Sequence, residues 1–282
     1  MERLDPRLEA YLQTNRAFMA PAVELAIASL QLTQASQILD AGTGGGGALA
    51  PLVRASAADT TVLGIDLNPG VISMAAEHAE KNGVSERVEL SVGDLRDLLT
   101  ESANADGTFD AIWASDVVWP GNFKKPLDVV RKMAAALKSD GTLALFYSNY
   151  YQAMFLPGHS RLERQLRTAS ELRWGLPGAG PTHSERHVEW LILAGLNDVD
   201  VRIFPRVGFP VDSDPTVRPY LEQTVFPELL ESARSCGSEA GMSATDIADA
   251  EELLSPESAR YLPEQPGYYV VHPTILVTGR RR

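Results

Sequence analysis

Residues 38–47, Ile38-Leu39-Asp40-Ala41-Gly42-Thr43-Gly44-Gly45-Gly46-Gly47, pass from an apolar run straight into glycines. Glycine permits a tight turn and lets bare backbone approach a ligand, so a strand ending this way is suited to cradle a nucleotide-like group. Asp66 closes the next apolar run, 24 residues after Gly42. A carboxylate there can accept both hydroxyl protons of a ribose. Asp94, in Val92-Gly93-Asp94-Leu95, follows a third run. It can accept from an adenine amine, or simply cap a helix. Asp40 precedes the glycines, where it can order the loop and help hold an ammonium group. Acids after three successive runs favour a ligand with a ribose, an adenine amine and a free amino-acid end. The loop alone is ambiguous, because Gly42, Gly44 and Gly47 also satisfy the G-x-G-x-x-G spacing of dinucleotide sites.

Groups able to take a proton are few. The five histidines are His78, His159, His183, His187 and His272. His159 stands in an aromatic-rich stretch and is a candidate pocket base. Asp116, just after a fourth apolar run, is the other candidate. His183 and His187 are four apart, but no third metal ligand accompanies them, and no metal is expected. Tyr147, Tyr150 and Tyr151 follow a fifth run. Ligands of open α/β sheets bind at the carboxyl ends of strands, so these tyrosines are expected to line a substrate cavity.

The elements that must position these residues alternate. Strands are expected at 38–40, 61–66, 88–92, 109–114, 142–146, 199–204 and 274–278, with helices between most of them. The helix after the glycines should start near 47–50, since Pro51 is tolerated only in a first turn. A helix is expected over 126–138, stopped by Ser139-Asp140-Gly141. Another is expected at 184–194, with Thr182 and Glu185 spaced as a capping box. Pro21 is expected to open a helix in the first 35 residues. The alternation predicts an α/β fold with a mostly parallel sheet covered on both faces. Residues 1–35, 147–182 and 208–270 fall outside this rhythm. They are expected to cap a core formed by 36–146, 184–207 and 272–280, within a single domain spanning 1–282.

With these elements in place, Ile38–Gly46 resembles the D/E-x-G-x-G-x-G motif of class I S-adenosylmethionine-dependent methyltransferases. Val62–Asp66, Gly93-Asp94 and Phe109–Asp116 are similar to that family's next three motifs, in order and spacing. Val129–Leu143 is similar to the segment leading into its fifth strand. The resemblance implies a Rossmann-like seven-stranded sheet with a reversed last strand, and S-adenosyl-L-methionine as cofactor. It implies that Asp40, Gly42 and Gly44 face the methionine portion and that Asp66 and Leu67 meet the ribose and adenine. Asp94 and Leu95 would flank the adenine, and Ser115 and Asp116 would lie near the sulfonium. Trp119 stands where the family places substrate-facing residues. The Asn/Asp-Pro-Pro-Tyr signature of amino-group methylation on nucleobases is absent: Val117-Val118-Trp119-Pro120 follows Asp116.

Composition narrows the partners. The net charge is −12, which disfavours a phosphate backbone as substrate. Arg280-Arg281-Arg282 reads as a solvated tail. One cysteine allows no internal disulfide and suits a reducing, cytoplasmic setting. The first residues, Met1 to Pro6, show no apolar leader, and no window suits a membrane span. The expected activity is methyl transfer to an O, N or C nucleophile of a small-molecule acceptor, with no nucleic-acid or membrane partner and a homodimer left open. A nicotinamide-dependent oxidoreductase, a non-catalytic binding protein of the same fold, and a protein or nucleic-acid methyltransferase are the alternatives.

Overall fold

The computed structural model describes residues 5–105, 107–209 and 213–282. Residues 1–4 of the N-terminal stretch and 210–212 of the 208–270 cap lie outside the described residues. The apolar runs form β1 (Gln37–Ala41), β2 (Thr61–Asp66), β3 (Val88–Val92), β4 (Phe109–Ser115) and β5 (Leu137–Ser148). They are joined by α2 (Leu49–Ala55), α3 (Pro69–Lys81), α4 (Leu95–Asn104) and α5 (Pro126–Ala136), and preceded by α1 (Pro6–Ala28). The chain then forms α6 (Ser160–Arg173), α7 (His187–Leu193) and β6 (Asn197–Ile203). β7 (Arg206–Gly208) leads to α8 (Val217–Tyr220), α9 (Phe226–Cys236) and α10 (Ala244–Leu254). β8 (Val270–His272) and β9 (Thr274–Arg280) close it.

The main sheet has seven strands in the order β3-β2-β1-β4-β5-β9-β6. β1 pairs in parallel with both β2 and β4, so the chain reverses its winding direction between β1 and β4. β9 runs antiparallel between β5 and β6. This is the expected Rossmann-like sheet with one reversed strand. Successive side chains of a strand face opposite ways, and both faces here are apolar. Ile38, Ala111 and Trp113 join the core beneath α1, α2 and α3. Their neighbours Leu39, Ile112 and Ala114 join the core beneath α4, α5 and α7.

Several local expectations change. α1 runs unbroken through Pro21 instead of starting there. An interior proline costs ~3 kcal/mol, but Phe18, Met19, Ala22, Val23, Ala26 and Ile27 are buried on either side of it, which holds the two halves in one line. α5 ends at Ala136, and Leu137 already pairs with Phe109, so β5 begins five residues before the expected Thr142. The 147–182 stretch contains α6, whose spacing of Leu162, Leu166 and Ala169 on a buried face was legible but overshadowed by its glycines and prolines. α7 is preceded by a 3-10 turn over Ser184–Arg186, capped by His183 Nδ1 accepting from the Glu185 amide at 3.2 Å, not by Thr182. The terminal arginines are docked: Arg281 donates to the carbonyl of Ala135 at 2.7 Å.

A short continuous π-turn, Leu221–Val225, joins α8 to α9. This turn and α8 bind α1 directly: Thr14 and Thr224 hydroxyls lie 2.7 Å apart, and Phe18 stacks on Tyr220 with centroids 4.2 Å apart. Among the described residues, no helix is long and apolar enough to cross a membrane.

Candidate active site

The winding reversal leaves a crevice beyond the carboxyl ends of β1 and β4, where open α/β sheets bind ligands. The glycine loop turns there. Gly42, Gly44 and Gly46 all have positive φ, between 51° and 79°. At Gly42 the need is also steric: a Cβ would come within 2.5 Å of Val117 Cγ2. α2 follows at Leu49, as Pro51 requires.

A cavity of about 470 Å³ occupies this crevice. Asp40, Gly42, Gly44, Asp66, Leu67, Asp94, Leu95 and Ser115 all line it. Asp40 is 2 % exposed and accepts a hydrogen bond from the Thr43 hydroxyl at 2.6 Å. Burial pushes its carboxyl up to about 7, opposed by Thr43 and aided by the nearby Asp66. No ion pair to Asp40 is formed among the described residues, so a ligand cation would meet an unneutralised buried acid. Asp66 Oδ2 accepts from the Gly44 amide at 3.2 Å and Oδ1 from the Asn68 amide at 3.1 Å, tying the loop to β2. Leu67 is 69 % exposed at the rim, whereas Leu95 is buried. Asp94 does cap α4, accepting from the Arg96 amide at 2.8 Å, and its bonds to the Arg96 guanidinium hold its carboxyl below the usual range. Capping uses only part of its acceptor capacity, which leaves lone pairs for a ligand.

A second, larger cavity of about 1280 Å³ adjoins the first. Trp119, Tyr147, Tyr150 and Tyr151 line it. Asp116 lines both cavities. Its backbone is left-handed, with φ 55°. Its Oδ1 accepts from the Ser148 amide at 2.7 Å and its Oδ2 from the Ser148 hydroxyl. Burial raises its carboxyl, while Ser148 and Ser115 favour the ionised form.

His159 is not part of this arrangement. It precedes α6 and lines neither cavity. The larger cavity uses the far end of that helix, at Ser170, Arg173 and Trp174. Ten residues of helix separate the two ends by ~15 Å, so the candidate base of the aromatic stretch is corrected to the surface end of α6. His183 and His187 do not converge either: His187 is buried with Nε2 3.1 Å from the Val118 carbonyl. Among the described residues, no group of three or more His, Cys, Asp or Glu side chains is placed to hold a metal ion.

Sequence reasoning expected the N-terminal stretch to cap the core but assigned none of the side chains of α1 to the site. Tyr11 and Asn15 line both cavities, and Leu12 and Arg16 line the smaller one. Arg16 Nη1 donates to the Gly45 carbonyl at 2.5 Å, across the top of the loop. The spacing of 11, 12, 15 and 16 puts all four on one helical face, a signal that was present but unassigned. Tyr11 is 43 % exposed, yet burial still pushes its phenol upward, because the accessible surface opens into the cavity. His187 and His272 also line the larger cavity, and burial holds both down to about 4, so they are neutral there.

Residues 32–178, more than half of the chain, match the family described as a methyltransferase domain. A ubiquinone biosynthesis O-methyltransferase from Actinobacillus pleuropneumoniae is 27 % identical over 153 residues, covering 49 % of this chain and 62 % of that protein. A 23S rRNA uracil-C5 methyltransferase from Acidithiobacillus ferrooxidans is 32 % identical over 108 residues, covering 38 % of this chain and 23 % of that one. The chain thus spans less than two thirds of the length of either relative. An O-methyltransferase family protein from Burkholderia thailandensis superposes with a TM-score of 0.53 at 15 % identity, over 97 % of this chain and 59 % of that one, a likeness of fold. On the strength of the family match and the sheet order, the chain belongs to the methyltransferase-domain family.

Proposed function

We propose that the protein transfers a methyl group from S-adenosylmethionine to a hydroxyl of a small-molecule acceptor, with Asp116 as the proton acceptor. One observation carries this reading: Tyr11, Asn15, Asp116, Val117 and Phe146 line both cavities. The smaller cavity and the larger one therefore share a wall, and the strand-end residues of that wall include a carboxylate.

The smaller cavity suits the donor. Asp40 is a buried acid without a cationic partner and would hold the ammonium group, Arg16 would meet the carboxylate, and Asp66 the ribose hydroxyls. When bound, the sulfonium supplies an already activated methyl group. The chain's own task is then alignment and proton removal. Holding both reactants against one wall can contribute roughly 7–11 kcal/mol through orientation alone. A hydroxyl must also lose its proton, and a base at hydrogen-bond reach typically contributes 10²–10⁴-fold. Asp116 is oriented for this by its two bonds to Ser148.

The N-terminal helix and the 147–182 and 208–270 segments act, in this reading, as the cover that excludes water from the donor. The O-methyltransferase name of one relative supports oxygen as the acceptor atom.

The test is direct. Calorimetry with S-adenosylmethionine should show binding that NAD does not reproduce, and a metabolite screen should release S-adenosylhomocysteine with at least one hydroxylated acceptor. Tight NAD binding without S-adenosylmethionine binding would reject the proposal.

A further inference from the structure

The larger cavity carries information about the acceptor. At about 1280 Å³ it exceeds the ~300–1,000 Å³ that encloses a drug-sized ligand. A single-ring acceptor would leave most of it to water. Its walls are dominated by apolar and aromatic side chains, among them Trp119, Tyr147, Trp174, Leu176, Phe226 and Leu230. Trp119 and Trp174 meet edge to face with centroids 6.4 Å apart. Ring-rich ligands suit such walls, since aromatic pairs contribute beyond the area they bury.

Charge gives the second constraint. Among the described residues, three arginines line the cavity: Arg7, Arg173 and Arg234. Arg173 is bound to Glu228 at 2.5 Å and to Glu231 at 2.7 Å. Arg234 is bound to Glu251 at 2.8 Å. Arg7 is exposed at the start of α1. At the end shared with the smaller cavity stands Asp116, whose carboxyl is raised by burial, and the neutral His187 and His272 line the same cavity. An anion carried to that end would be desolvated without a free cation to receive it, which is costly. A neutral hydroxyl avoids that cost and would meet the Asp116 carboxyl and aromatic rings.

We infer that the acceptor is a large, uncharged, ring-rich alcohol or phenol whose reactive hydroxyl enters first, and that single-ring and polyanionic acceptors are rejected. This rests on the methyl-transfer reading for the identity of the donor, but the shape and charge of the larger cavity stand apart from it.

The experiment is a fluorescence titration of the full chain with 1-hydroxypyrene, with phenol and 8-hydroxypyrene-1,3,6-trisulfonate as competitors. Hydroxypyrene should bind at least tenfold more tightly than either. The L230W variant, checked for an unchanged melting temperature, should weaken hydroxypyrene binding at least tenfold. If L230W fails to fold, L176W replaces it at the rim. Equal affinity for phenol, a preference for the trisulfonate, no hydroxypyrene binding, or full binding by the folded variant would each overturn the inference. S-adenosylmethionine calorimetry on the same protein separates the two readings. Hydroxypyrene bound without donor binding leaves the cavity assignment standing and removes methyl transfer. Donor bound with hydroxypyrene no tighter than phenol does the reverse.

Discussion

Asp116 and Ser148 are joined twice, the Ser148 amide donating to Oδ1 at 2.7 Å and its hydroxyl to Oδ2. The pair locks the carboxyl ends of β4 and β5 together at the wall between the two cavities. Hydrogen bonds to a carboxylate favour its ionised form. Removing the hydroxyl with Ser148→Ala should therefore raise Asp116 further. Activity that needs the ionised carboxylate then appears at higher pH, and the rising limb of kcat/KM should move by about one pH unit. Asp116→Asn should lower kcat by ~10²–10⁴. A pH profile unchanged in S148A would show that Asp116 is not the base.

Asp40 links stability to binding with opposite signs. Its carboxyl is raised from 3.8 to about 7. Over that interval the native protein keeps a proton that the unfolded chain has lost, so stability falls as pH rises from about 4 to about 7. Above it, the ionised carboxylate costs ~4 kcal/mol. Without ligand, Asp40→Asn should melt higher than the natural chain at pH 8 and show little difference at pH 4. Differential scanning fluorimetry at the two pH values decides this.

The same carboxyl should make donor affinity depend on pH. A cationic ligand prefers the ionised form, so affinity for S-adenosylmethionine should fall as pH drops below about 7 and level off above it. In Asp40→Asn that dependence should vanish and affinity should drop more than tenfold. Calorimetry at pH 5.5, 7 and 8.5 reads both effects; a flat profile in the natural chain removes Asp40 from the ammonium site.

Asp66 orders the glycine loop and lines the smaller cavity. Asp66→Ala should weaken donor binding more than tenfold, with a modest loss of melting temperature from the freed Gly44 and Asn68 amides. Undiminished affinity by calorimetry would show that the ribose assignment is wrong.

Gly42→Ala tests the wall itself. A left-handed φ of 68° costs a non-glycine residue ~1–2 kcal/mol, and the new methyl would meet Val117 Cγ2 at 2.5 Å. The variant should melt several degrees lower and bind donor more weakly. Adding Val117→Ala should recover the steric part but not the backbone part. No recovery in the double variant would mean that Val117 is not the obstacle.

What the sequence alone made legible is the lining of the smaller cavity. Asp40, Gly42, Asp66 and Asp94 are set by strand ends and turns, and these are local: an apolar run that stops at glycine or at an acid announces its own geometry. The order of runs also implied a parallel sheet, and the reversed strand came with the family resemblance. The larger cavity and the wall it shares with the smaller one were decided by the tertiary structure. Tyr11 and Asp116 are 105 positions apart in the chain, and the packing of α1 on Tyr220 and Thr224, with Arg16 bound to the glycine loop, brings them to one wall. His159 and His187 show the same limit from the other side. One stood in a promising stretch but precedes the far end of α6 and lines neither cavity, while the other looked like half a metal site and lies buried at the larger cavity. Long-range packing depends on side chains meeting across elements, and no local periodicity encodes which ends of those elements converge.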